Sequence, residues 1–271
     1  MSRPYWGPPT ADYNWCEEDY AVTAYCAEFF NTISSFAIVL AGGIFARQAA
    51  ARAYGARFLI AAFGLIVIGI GSVAFHGTLR REGQVLDEVP MLWASLVFLW
   101  IACCNAMGTS ENAWGPPLAV MFGCIGAGST WVYFNSGFTF FIATYILTVA
   151  SIFAVTLIRV SRAPKRHAFA KKYAYLGVGF YFAGFLFLWL PEQILCGNRM
   201  RDTRDTGLLA LPVPLHAWFH ITSSIGPICI LTYFVFDYFE KRKRGPKIVS
   251  KPAPELCGMV SIPVVTVMKD S

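Results

Sequence analysis

The sequence predicts an all-α integral membrane protein: a bundle of seven transmembrane helices with the N-terminus luminal and the C-terminus cytosolic. Three observations predict it. The 271 residues are 56% hydrophobic and only 14% charged, with mean hydropathy +0.52, where a soluble domain carries about 25% charge. Seven apolar runs each approach the ~20 residues that a spanning helix needs. Arginine and lysine are unevenly shared between alternate loops. The net charge of +6 thus follows from topology, and no nucleic-acid partner is expected.

The runs cover about 29–46, 58–79, 89–107, 117–134, 138–158, 173–194 and 208–239. Residues before the first are polar, aromatic and acidic, without the apolar core of a cleavable signal. The first run must therefore direct insertion itself. Pro116 and Pro117 before the fourth run, and Pro212 and Pro214 in the seventh, suit helix starts, where no intrahelical partner for the nitrogen is needed. One domain is expected over 1–247, with 1–28 a luminal acidic arm, and 248–271 reads as a mobile cytosolic tail without helical pattern. With seven spans and a cytosolic C-terminus, sixteen basic residues face the cytosol and six the lumen, together the 22 of the chain. The positive-inside rule selects that orientation.

Four histidines occur in the chain. His167 lies in a basic loop and reads as solvated. His216 and His220 stand four apart in an apolar segment, so on a helix they share one face. His76 ends the second run. In the predicted topology all three lie at the luminal depth, although the charge count did not require it. Ionisable groups in apolar runs tend to mark function, and three imidazoles at one depth suit a shared metal ion, zinc above all. Such a site keeps a coordination position open and makes hydroxide available near neutral pH. Iron, nickel and copper accept the same ligands.

Ser72 lies one turn before His76, and Asp87 falls at the start of the third run. Beside a metal, the carboxylate can ligate or take a proton from water, and the hydroxyl can donate to a developing oxyanion. On its own Ser72 reads as a packing hydroxyl between helices, and Asp87 has a second reading as a helix N-cap. Glu88 reads as solvated. The acidic stretch Asn14, Trp15, Glu17, Glu18, Asp19, with Glu28 further on, offers the oxygens that a hard cation takes. Read alone, it is also a solvated arm. Eight cysteines without a C-x-x-C pair exclude a zinc ribbon or redox motif.

Together, Tyr5-Trp6-Gly7-Pro8, Trp15-Cys16-Glu17-Glu18-Asp19-Tyr20, Ala27-Glu28-Phe29-Phe30-Asn31-Thr32, Gly71-Ser72 with Phe75-His76, Leu86-Asp87-Glu88-Val89-Pro90-Met91 and His216-Ala217-Trp218-Phe219-His220 resemble the alkaline ceramidases. The resemblance runs from about residue 5 to 247. It implies a multi-pass amidase of the endoplasmic reticulum or Golgi that hydrolyses ceramide, a lipid taken from the bilayer, to sphingoid base and fatty acid. By motif it puts zinc on His76, His216 and His220, with Ser72 and Asp87 assisting the chemistry. Calcium falls on Asn14, the Trp15 carbonyl, Glu17, Asp19 and Glu28. Asn14 stands where some members have Asp, and Asp19 where some have Asn, so net ligand charge is kept. The resemblance also implies a Cys16–Cys196 disulfide in an oxidising lumen. No obligate protein partner is implied. The rival reading is a seven-helix receptor of the adiponectin and progestin type, with a similar histidine arrangement but the opposite orientation.

Overall fold

The computed structural model describes residues 4–107, 111–196, 214–252 and 261–267. The described chain is dominated by α1 (Phe29–Ala51), α2 (Ala56–Thr78), α3 (Arg81–Met107), α4 (Glu111–Arg162), α5 (Ala168–Gly184), α6 (Leu190–Cys196) and α7 (Leu215–Lys241). Among the described residues, six helices are long and apolar enough to cross a membrane, the fourth covering Ala113–Arg162 and the fifth Lys165–Ile194. They mark an integral membrane protein. Large apolar side chains such as Phe36, Phe63, Val120, Trp131, Leu147 and Phe187 stand exposed on their outer faces, as lipid contact requires.

The fourth helix spans both the fourth and the fifth apolar runs. Its 52 residues form two helical stretches that meet at a kink at Gly137, with φ 65 and ψ −152. Only glycine adopts that backbone without strain. A straight helix of this length would reach ~78 Å, more than twice a bilayer core of ~30 Å. The break falls between the fourth and fifth apolar runs. Pro116 and Pro117 lie inside the helix rather than at its start.

α2 ends at Leu79, in left-handed conformation at φ 50, with its N–H bonded to the Phe75 carbonyl, a common C-terminal stop. The chain turns at once into α3, which begins at Arg81, eight residues before the apolar run expected from 89. Asp87 and Glu88 are therefore interior helical residues, and Asp87 is no N-cap. α2 and α3 come closest at Gly71, where an added Cβ would lie 1.9 Å from the Leu86 carbonyl oxygen and 2.8 Å from the Asp87 nitrogen. Pro90, four residues beyond Leu86, has no N–H to offer that carbonyl. The close approach sets Ser72 on α2 against Asp87 on α3.

Between α5 and α6 the helix widens into one π-turn, Phe185–Trp189. The extra residue re-phases the side chains of α6, and Glu192 on that helix is fully buried. The core at the other end of the bundle is built by Phe45, Phe58, Ala61, Ile101, Val235 and Phe239. Arg159 joins α4 to α7 through Asp237 at 2.8 Å. His167, expected in solvent, bonds Glu240 at 2.9 Å and packs edge-on against Phe236.

The segment after Lys247, where no helical pattern is expected, is described in part. Over its described residues it forms an antiparallel hairpin, β1 (Lys247–Pro252) with β2 (Ser261–Thr266), in the register Lys247 to Thr266 and Pro252 to Ser261. Its Ile248, Val264 and Val265 are buried. The Tyr54 hydroxyl donates to the Val265 carbonyl at 2.8 Å and accepts the Val265 N–H at 3.0 Å. A search for helical periodicity overlooks this segment, because its apolar residues are few and are brought together by pairing across two strands rather than along one helix face.

Gly71→Ala should destabilise the fold by about 1–3 kcal/mol, the range for overpacking. Gly43→Ala, where a Cβ meets nothing within 4 Å, serves as control. Thermal melting in detergent reads both, and equal midpoints would refute the close approach. Tyr54→Phe should cost about 1–2 kcal/mol by leaving the Val265 groups unpaired, and limited proteolysis should then cut the hairpin sooner.

Candidate active site

α2 and α7 bring the three apolar-run histidines together. The rings of His216 and His220 have centroids 4.5 Å apart, and His76 lies 5.0 Å from each. One ligand nitrogen from each falls within 4.8 Å of the others, and all three residues are buried.

Each ring is held from behind. His76 Nδ1–H donates to Glu28 Oε2 at 2.5 Å, leaving His76 Nε2 buried without a hydrogen-bond partner. His220 Nδ1 lies 2.8 Å from Ser34 Oγ and 3.3 Å from Ser35 Oγ. Both hydroxyls can donate to the Asn31 carbonyl, at 3.0 and 2.7 Å, so the imidazole N–H is the natural donor and its Nε2 lone pair stays free. His216 stacks under Trp15 with centroids 3.5 Å apart, and its Nδ1 is 3.7 Å from Glu192 Oε2. An orphaned buried nitrogen beside two further imidazoles fits a divalent metal with nitrogen donors.

Ser72 and Asp87 adjoin this cluster. Ser72 Oγ lies 3.0 Å from Ser35 Oγ. Asp87 is buried and its Oδ1 has no hydrogen-bond partner. Ser72, Asp87, His216, His220 and Trp15 line one end of a cavity of about 480 Å³. Most of the rest of its wall is aliphatic and aromatic, including Leu65, Phe141, Val149, Phe153 and Phe185. Ile146, Leu157 and Phe182 line it too and are exposed on the outer surface of α4 and α5. The cavity thus reaches the lipid-facing side between those helices.

The acidic arm folds over the same end. Glu17 accepts the N–H groups of Phe30 and Asn31 at 2.7 and 2.8 Å, so its carboxylate caps the free amides at the start of α1. Glu28 Oε1 accepts the Trp15 N–H at 3.0 Å. Asn14 Nδ2 donates to both Asp19 oxygens, at 3.2 and 3.1 Å. Burial pushes the Glu17 carboxyl up to about 7, Asp19 to about 6 and Glu28 to about 8, and the nearby Glu28 charge adds to the first two. A hard cation with oxygen ligands suits a cluster so crowded with negative charge. Asn14, Trp15, Glu17, Asp19 and Glu28 are thus brought to one place, with Glu28 touching both the arm and His76. Cys16 is not among the free cysteines of the described residues. Cys196 closes α6, and its side chain lies outside the described residues.

Sequence reasoning missed several of these groups. Glu88, expected in solvent, is buried, accepts from Gln84 Nε2 at 2.8 Å and lines the cavity. Glu192 bonds the Cys16 N–H at 3.1 Å. Ser34 and Ser35 back His220. Tyr145 and Tyr181 join hydroxyls in the cavity wall. For both glutamates a signal existed: each is a carboxylate at or within an apolar run, the criterion that singles out the histidines.

A family model described as Ceramidase matches residues 7–264. Alkaline ceramidase 3 of Mus musculus is 27% identical over 253 residues, covering 91% of each chain. Alkaline ceramidase YPC1 of Saccharomyces cerevisiae is 29% identical over 238 residues, 82% of this chain and 74% of the relative. The alkaline ceramidase of Arabidopsis thaliana is 26% identical over 253 residues, 90% of each. A match across nearly the whole length, on a helical scaffold with a buried polar site, shows that this chain belongs to the ceramidase family of amidohydrolases.

Proposed function

We propose that the chain hydrolyses the amide bond of ceramide to sphingoid base and free fatty acid, with zinc at His76, His216 and His220 and with calcium in the arm modulating the reaction. The observation that carries this reading is the cavity: His216 and His220 of the three-histidine cluster, a serine and a carboxylate at one end, apolar walls beyond, and an edge exposed where lipid would lie. A two-chain lipid amide has that distribution of polarity. The match to alkaline ceramidases favours this hydrolase over the receptor reading.

A zinc ion held by three neutral imidazoles supplies Lewis acidity for the amide carbonyl and for water. The chain's own residues do the rest. Asp87, whose Oδ1 is unpartnered, takes the proton from the attacking water and returns it to the leaving amine. The Ser72 hydroxyl donates to the carbonyl oxygen as negative charge develops there. Ser34 and Ser35 hold His220, and Glu28 holds His76 in the tautomer with Nε2 free. The apolar wall takes the hydrocarbon chains and excludes bulk water.

Calcium in this reading sits on Asn14, the Trp15 carbonyl, Glu17, Asp19 and Glu28. Its influence on turnover would pass through Glu28, which bonds both the Trp15 amide and His76. A Cys16–Cys196 disulfide would pin the arm to α6. The Cys16 N–H bonds Glu192, one helical turn before Cys196, which supports that pairing. We read the Gly137 break as a turn between two spans. That gives seven, a luminal N-terminus and a cytosolic C-terminus by the arginine and lysine count, in endoplasmic reticulum or Golgi membranes.

The first test is purified protein in detergent with a panel of ceramides, both products being read by mass spectrometry beside His220→Ala. Wild type should release base and fatty acid in equal amounts, and the variant neither. Release from no ceramide by a zinc-loaded protein would overturn the reading. Asp87→Asn should retain zinc and lose about 10²–10⁴-fold in turnover, the usual worth of a general base. Full activity in that variant removes Asp87 from the mechanism. Glu28→Ala should flatten the response of turnover to added calcium, and an unchanged calcium titration would exclude Glu28 from the coupling.

A further inference from the structure

We infer that Glu192 is the positioning residue for His216 and ties that ligand to the acidic arm. The inference rests on the zinc reading of the histidine cluster. Glu192 is fully buried on α6, just past the π-turn. Its Oε1 accepts the Cys16 N–H at 3.1 Å. Its Oε2 has no hydrogen-bond partner and lies 3.7 Å from His216 Nδ1, which is likewise buried and unpartnered. Two orphaned groups therefore face each other across a gap slightly longer than a hydrogen bond.

Their chemistry is complementary. A neutral imidazole that gives its Nε2 lone pair to a metal carries a proton on Nδ1. That N–H, in a buried site, needs an acceptor. The Trp15 ring covers one face of His216, and a ring face accepts little from an in-plane N–H. The other two histidines already have their acceptors, Glu28 for His76 and the serine pair for His220. Glu192 completes the set, so each ligand ring has an oxygen acceptor behind it.

The second bond of Glu192 gives it a further role. Through the Cys16 amide it holds the arm segment that carries Trp15, and Trp15 packs on the same imidazole. His216 is thereby fixed by two contacts, edge and face, that both depend on where the arm sits. Tyr13 adds a neighbouring clasp, its hydroxyl bonding Gln193 at 2.6 Å. No such arrangement is needed to pack the bundle, since an apolar side chain at 192 would fill the space without burying a carboxylate.

The test uses full-length wild type, Glu192→Gln and Glu192→Asp, purified in detergent, loaded with zinc and then exposed to a chelator. Zinc retained over time is read by elemental mass spectrometry, and melting of each protein is recorded alongside. Glu192→Gln should lose zinc about 10–100-fold faster, the usual effect of removing a group that orients a ligand. Glu192→Asp, which keeps the carboxylate, should fall between it and the wild type. With cobalt in place of zinc, Glu192→Gln should also shift the visible absorption bands, a change that loss of fold stability alone does not produce in protein that remains folded. Zinc loss and cobalt bands equal to wild type in both variants would overturn the inference while leaving the zinc reading intact. A wild type that retains no zinc would overturn both. Should Glu192→Gln fail to fold, Glu192→Asp decides alone, since zinc loss at the wild-type rate and unshifted bands would sink the inference.

Discussion

The contact on which the site depends is the bond between Glu28 and His76. A carboxylate at the threshold of α1 donates nothing and accepts from three sides: the Trp15 amide, Asn31 Nδ2 and the imidazole N–H. Burying a charge or a polar group in an apolar bundle is costly unless every such partner is supplied. The arm, α1 and α2 are therefore fixed relative to one another at one point, and the histidine there has its tautomer decided. Everything else around the cluster repeats the device with a different acceptor.

That requirement explains why an arm of such polar sequence packs so closely on an apolar bundle. Glu17 satisfies the first amides of α1. Thr10 and Ala11 send their N–H groups to the Leu79 carbonyl at the end of α2, and Arg81 pairs with Asp12 at 2.7 Å. The arm closes the bundle by answering backbone groups that helix ends leave open. In doing so it delivers Trp15 to His216 and its own carboxylates to one place.

Close helix contact does the remaining positioning. Without Cβ atoms at Gly71 and Gly83, α2 and α3 approach until backbone meets backbone, as small residues allow between membrane helices. Ser72 and Asp87 face one another because of that approach. α4 and α5 instead leave the cavity flanked by side chains that are also exposed outward. The tight side of the bundle holds the polar groups, and the looser side is where a lipid chain could pass. The residues that announced themselves in the sequence did so by being out of place. Histidines at the edges of apolar runs were legible because burying an ionisable ring is expensive, and the H-x-x-x-H spacing fixed a shared face. The same logic applies to Glu88, which the sequence reads as solvated, and to Glu192 inside the sixth run, and both are buried. Asp87 was read at a helix start because apolar content begins only after it, whereas α3 begins at Arg81 on a polar turn that the arm covers. The hairpin after Lys247 was illegible to a helical period, and its stability depends on Tyr54, 211 residues away from Val265.

Sequence by itself determined the apolar runs, the helical class, the metal-competent histidines and the family, since each depends on composition or on spacing within one segment. Tertiary structure alone decided which oxygen stands behind which imidazole and that Glu28 joins the arm to His76. Those features rest on contacts between segments far apart in the chain. No local pattern encodes them, because the partner of a buried polar group is chosen by the geometry of the packed helices.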